Sequence, residues 1–126
     1  MSRIRTDKAP AAIGPYSQGS ITDGGKLIFT AGQIPLDPAT GEMRNDSIEA
    51  ATRQVLENIR SIVQAAGSNL SKIVKVTVFM TDLNEFAAMN EVYAGFFQND
   101  PPARSAVQVA ALPKGVRIEM EAIATL

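Results

Sequence analysis

Only two stretches of this chain repeat their apolar residues at helical spacing, and that pair limits what the rest can fold around. Ile48, Ala51, Val55, Ile59, Ile62 and Ala66 follow one another at steps of three and four until Gly67, which is the stripe of an amphipathic helix closed by a glycine. Asp46, with Glu49 three residues later, has capping-box spacing at its start. Phe86, Met89, Tyr93 and Phe96 or Phe97 form a second stripe, opened by the same spacing from Asp82 to Glu85 and ended by Asn99-Asp100-Pro101-Pro102.

The remaining ordered segments read as strands. A short opening strand is expected near Ser2 to Thr6, followed by an irregular connection from Ala9 to Gly19 that carries Pro10, Gly14 and Pro15. Asp23-Gly24-Gly25 signals a turn into a strand over Lys26 to Thr30, and Pro35, Asp37-Pro38 and Thr40-Gly41 mark a loop up to the first helix. Ile73 to Met80 is rich in β-branched residues and too short for a typical helix, so it predicts a strand buried on at least one face. Ala103 to Val109 and Val116 to Ala124 are two further strands, separated by a connection with Pro113 and Gly115. The order predicts an α+β layer pair, and 126 residues have the length of one domain spanning the whole chain. Two helices cover only one face of such a sheet. With 45% hydrophobic residues, the other face either meets a second subunit or is a solvated face of the kind antiparallel sheets often have.

Composition removes several classes of chemistry. There is no Cys and no His, which excludes thiol chemistry, disulfides, histidine-based triads and the usual zinc sites. Any reaction must use carboxylates, Arg, Lys, Tyr, hydroxyls, amides, backbone dipoles or water, and neither a metal site nor an organic cofactor is expected. A formal charge of -1 carries no electrostatic footprint of a nucleic-acid binder. No apolar run is long enough for a membrane span or a secretory leader, so the expectation is a cytoplasmic protein without membrane contact.

Several residues could carry chemistry. Arg104, Ala106 and Gln108 share one face of their strand, and the small Ala106 leaves room for a guanidinium fork to grip a carboxylate. The alternative for Arg104 is a surface ion pair. Glu119 and Glu121 share a face of the last strand, either as a proton-handling pair or as its solvated side. If the last two strands form an antiparallel hairpin, Arg104 falls opposite a position at or near Glu119. Tyr16 lies in the glycine-bounded loop Gly14-Pro15-Tyr16-Ser17-Gln18-Gly19, where it presents a hydroxyl or packs its ring on the core edge. Ala31-Gly32-Gln33 ends a strand at a glycine that permits close backbone approach or simply makes the turn. Asn90, beside the second apolar stripe, is a ligand contact or a core amide.

Taken together, these segments resemble the RidA (YjgF) family. The resemblance runs through Ala9-Pro10-Ala11-Ala12-Ile13-Gly14-Pro15-Tyr16-Ser17-Gln18-Gly19, Phe29-Thr30-Ala31-Gly32-Gln33-Ile34-Pro35, Ile73-Val74-Lys75-Val76-Thr77-Val78-Phe79, Pro102-Ala103-Arg104-Ser105-Ala106-Val107 and Ile118-Glu119-Met120-Glu121-Ala122-Ile123-Ala124. It implies a chorismate-mutase-like mixed sheet with both helices on one face, assembled as a homotrimer with sites between subunits. It also implies hydrolysis of 2-aminoacrylate and related enamine or imine acids to 2-keto acids and ammonia. Arg104 would bind the substrate carboxylate and Glu119 would position or activate water. Tyr16, Thr30, Ala31, Gly32, Asn90 and Ala106 would line the pocket. Many relatives have a cysteine at position 106 and a glutamate at position 108, where this chain has Ala106 and Gln108, so only a backbone contact at position 106 carries over. Other members have been described as translation inhibitors or ribonucleases, and a noncatalytic keto-acid binder or holdase is a further alternative.

Overall fold

The structure is a computed structural model and describes residues 2–126. Both apolar stripes form helices, each starting slightly off the capping-box expectation. The first, α1, spans Ile48–Ala65, and its cap is Ser47, one residue beyond Asp46, whose extended backbone lets the hydroxyl accept the Ala50 N–H at 3.1 Å. Its far end turns on Gly67 at φ +88°, with Ser68 N–H donating to Val63 O at 2.9 Å and closing the last turn. Ala51, Val55, Leu56, Ile59 and Val63 on its inner face are completely buried. Each such Val, Leu or Ile stabilises the fold by roughly 1.5–3 kcal/mol. Asp82 caps a short 3-10 turn, Leu83–Glu85, and the second helix α2 follows over Phe86–Phe96.

Six strands complete the fold: β1 Ser2–Ile4, β2 Gly19–Ile21, β3 Leu27–Phe29, β4 Ile73–Met80, β5 Ala103–Gln108 and β6 Ile118–Thr125. The main sheet has the order β3-β6-β4-β5, antiparallel except for β4 and β5, which run parallel. Val76, Val78, Met80, Ile118, Met120, Ala122 and Ala124 line the side that meets the helices and are buried. The fold is therefore α+β with two helices on one face of a mixed sheet. β1 and β2 pair as a separate antiparallel ribbon, and β2 falls at the end of what the sequence presents as irregular chain. Three residues are too few for a period to show. Arg3 ties this ribbon to the sheet by donating to Ser20 Oγ and to the Ile73 carbonyl, both at 3.1 Å. No helix among the described residues is long and apolar enough to cross a membrane.

The hairpin of the last two strands does not form. β4 lies between β5 and β6, with Val76 opposite Arg104 on one side and opposite Ala122 on the other. The β4-α2-β5 order is a strand–helix–strand crossover, which delivers its second strand parallel to the first. Arg104 consequently lies on the helix side of the sheet and Glu119, opposite Phe79, on the open side.

Candidate functional site

The potentially reactive residues gather at two places on the chain. The first is a cup at the outer edge strand. β5 lifts Arg104 towards α2, where its Nη1 donates to Asn90 Oδ1 at 2.7 Å. Its guanidinium carbon lies 4.7 Å from the Tyr93 ring centroid, 5.3 Å from Phe86 and 5.5 Å from Tyr16. Tyr16 is held there by its loop: its N–H donates to Gly14 O at 2.8 Å, and Ser17 anchors the chain to the start of β5 through N–H to Pro102 O and Oγ to Pro101 O. Gln18 pins the segment before it, accepting from Thr6 N–H at 2.7 Å and donating to Pro10 O at 2.6 Å. Ala106 follows Arg104 on the same face, half-buried against the core.

The charge balance of this cup is unusual for a half-buried cation. Burial lowers the Arg104 pKa from its ordinary value, with Tyr93 and then Tyr16 acting in the opposite direction. Ion pairs among the described residues join Arg44 to Asp37 and Glu42, Arg60 to Glu57, and Arg117 to Glu85, and none involves Arg104. Three ring faces and one amide oxygen surround the guanidinium instead. Aromatic faces attract a cation without neutralising it, so its positive charge is not cancelled by a carboxylate of the cup.

The second cluster is a shelf on the open face of the sheet. Thr30 N–H donates to Ala122 O at 2.9 Å, and Gln33 N–H donates to Met120 O at 2.7 Å. Between these two anchors, Ala31 and Gly32 stand against the single residue Glu121, the two-against-one arrangement of a β-bulge. The Thr30 hydroxyl accepts the Ala122 N–H at 3.0 Å, so this side chain is a buried part of the ladder. Ala31 and Gly32 are exposed. The Glu119 carboxylate lies directly over Gly32, where a Cβ would come within 2.9 Å of Glu119 Cδ and closer still to its oxygen. Any side chain at position 32 would displace that carboxylate. Glu121 shares the face of Glu119 and is exposed.

The structure thus brings Tyr16, Asn90, Arg104 and Ala106 together, and separately Thr30, Ala31, Gly32 and Glu119. It does not bring the two groups together. They lie on opposite faces, and β5 and β6 are two strand spacings apart, roughly 10 Å. Phe86 and Tyr93 complete the cup although their spacing identified them only as core. No spacing rule separates a core aromatic from one lying under a strand arginine. Gln108 also has a defined place, since its Oε1 accepts the Leu83 N–H at 2.8 Å; a glutamate there could accept the same bond. Among the described residues, no group of three His, Cys, Asp or Glu side chains is arranged to hold a metal.

A family profile described as endoribonuclease L-PSP matches residues 6–126. The YjgF gene product of Escherichia coli, a solved structure, is 51% identical, superposes with a TM-score of 0.77, and the match covers 99% of this chain and 98% of that one. The chain belongs to the RidA (YjgF) family. Among its RidA relatives is the 2-iminobutanoate/2-iminopropanoate deaminase of Salmonella typhimurium, 54% identical over 124 residues, covering 96% of this chain and 94% of the relative. Another is E. coli TdcF, solved with bound serine, 51% identical with a TM-score of 0.77 over 100% of this chain and 99% of that one.

Proposed function

We propose that this chain is a cytoplasmic imine deaminase that hydrolyses 2-imino acids, including the tautomer of 2-aminoacrylate, to 2-keto acids and ammonia. The observation that carries the reading is the Arg104 guanidinium, half-buried, walled by aromatic rings and paired with no carboxylate. A planar fork in that setting suits a small carboxylate, which it receives through two parallel hydrogen bonds. The Salmonella relative named as a 2-iminobutanoate/2-iminopropanoate deaminase and the TdcF structure with bound serine both support a small carboxylate ligand.

The reaction asks little of the protein. Arg104 holds the carboxylate and so fixes the neighbouring C=N carbon. Glu119 takes a proton from water as its oxygen adds to that carbon, then returns a proton to nitrogen. The tetrahedral adduct expels ammonia and leaves the 2-keto acid. Orientation and one water-handling carboxylate are enough for an electrophile of this kind. The exposed backbone of Ala31 and Gly32 and the Ala106 backbone would flank the reacting carbon, while Thr30 shapes the shelf by holding the ladder beside it.

Because cup and shelf lie on opposite faces, one chain cannot close a site around a substrate this small. We place the site between subunits of a homotrimer, with the cup of one facing the shelf of the next. Phe29 at 68% exposed and Leu27 and Val107, each at 43%, give the open face the apolar surface such an interface needs. The test generates 2-aminoacrylate in situ and measures ammonia and pyruvate above the spontaneous rate, with light scattering for mass. Acceleration by a particle of about three chains is expected; no acceleration overturns the activity, and an active monomer overturns the shared site. The family description favours a second reading, ribonuclease activity, which degradation of RNA by the pure protein would establish. The charge of -1 and the lack of histidine argue against it.

A further inference from the structure

The cup contains one residue that lies too deep to touch a ligand. Tyr93 is completely buried, yet it presents the ring nearest to Arg104, 4.7 Å from its guanidinium carbon. It also packs against Phe97, with centroids 4.6 Å apart and planes inclined by 36°. Its hydroxyl has no protein hydrogen-bond partner. Burial pushes the phenol pKa well above its ordinary value, and the nearby Arg104 and Arg3 do not reverse this, so the ring stays neutral.

We infer that the Tyr93 ring is the positioning residue that keeps Arg104 ready for an anion. The inference rests on Arg104 as the carboxylate anchor. A buried arginine is ordinarily held by a carboxylate, which fixes its plane but consumes its charge. Here the fixing is divided. Asn90 accepts one N–H, and Tyr93 supplies a face for the guanidinium to lie on, attractive to the cation and silent towards the ligand. Phe86 and Tyr16 are farther away and incompletely buried, so they are walls that ligand and solvent can reach. The part of Tyr93 that faces Arg104 is the ring, since its hydroxyl makes no hydrogen bond to the guanidinium or to another described residue.

Three variants test this. Tyr93→Phe keeps the ring, Tyr93→Leu removes it, and Phe97→Leu damages the same packed pair without touching the guanidinium. Arg104 mobility is read from its Nε–Hε signal by 15N relaxation, assigned with Arg104→Lys, and KM and kcat come from the imine assay. In Tyr93→Leu, Arg104 should become clearly more mobile than in the parent, although still held by Asn90, and KM should rise on the order of tenfold with kcat little changed. Tyr93→Phe and Phe97→Leu should match the parent in both readouts. An Arg104 that stays ordered in Tyr93→Leu overturns the inference, and so does equal loosening in Phe97→Leu, because the role would then be core packing alone. If Tyr93→Leu does not fold, phenylalanines of increasing fluorination at position 93 weaken the ring's pull at nearly constant shape; stepwise loosening supports the inference and a flat series overturns it. Should the parent release no ammonia, the deaminase reading falls, while the mobility comparison still decides the role of Tyr93.

Discussion

Cup and shelf differ in how the sequence secures them. The cup is assembled from three distant segments, and its cation is held by side chains: the amide of Asn90 and the rings of Tyr16, Phe86 and Tyr93. The shelf is almost entirely backbone, two unpaired residues held between ladder bonds at Thr30 and Gln33, with one carboxylate above them. Substitution therefore acts on the two differently. In the cup it changes what is bound. On the shelf it changes the one carboxylate, either its chemistry at position 119 or its placement from position 32.

The largest expected effect is on the shelf. Glu119→Gln keeps the shape and loses the proton acceptor, so kcat should fall on the order of a hundredfold or more while a keto-acid product still binds. Unchanged turnover would move water handling to another group. Arg104→Lys in the cup keeps the charge but loses the fork and should cost roughly tenfold to a hundredfold in kcat/KM, with circular dichroism and light scattering unchanged. If Arg104 served only as a surface charge, activity would survive intact.

Mixing these two impaired proteins sharpens the comparison further. Sites that join a sound cup to a sound shelf form in about a quarter of cases on random exchange of equal amounts, so activity should return to about that fraction of the parent's after unfolding and joint refolding. No recovery would place both halves of the site within one chain. Gly32→Ala should cost about tenfold in kcat with little change in thermal stability, because the new methyl displaces only the end of the flexible Glu119 side chain. The smallest effect belongs to Glu121→Gln. This exposed neighbour should change stability by less than about 0.5 kcal/mol and leave kcat within about twofold; a loss comparable to that of Glu119→Gln would mean that the two carboxylates act as a pair.

Much of the fold could be read from the residues, and the reason lies in element length. Ile48 to Ala66 offers five turns of stripe, long enough for a period to stand out, and Ile73 to Met80 offers eight residues rich in β-branched side chains. β2, with three residues, offers no period, and unlike the equally short β3 it follows no turn signal. Parity along a strand correctly placed Arg104 with Ala106, and Glu119 with Glu121, but it cannot say how the faces of two strands correspond. Only neighbour order does that, and the short connection after Val109 suggested a hairpin that β4 in fact interrupts. The corrective signal was present in the order β4-α2-β5, since a strand, a helix and a strand in succession favour parallel pairing. Asn90 was legible as an amide near an apolar stripe. Its bond to Arg104 was not, because it depends on the height of α2 above β5.

The unneutralised cation of the cup has a bearing on how such a protein is handled at the bench. A guanidinium left without a carboxylate of its own does not distinguish a substrate from any small oxyanion of similar reach. With Arg104 as the carboxylate anchor, acetate, formate, phosphate and sulfate in a purification or assay buffer should therefore compete. The apparent KM for an imine acid should depend on which of them is present, and a cationic tertiary-amine buffer with chloride as the counter-ion should give the fairer measurement.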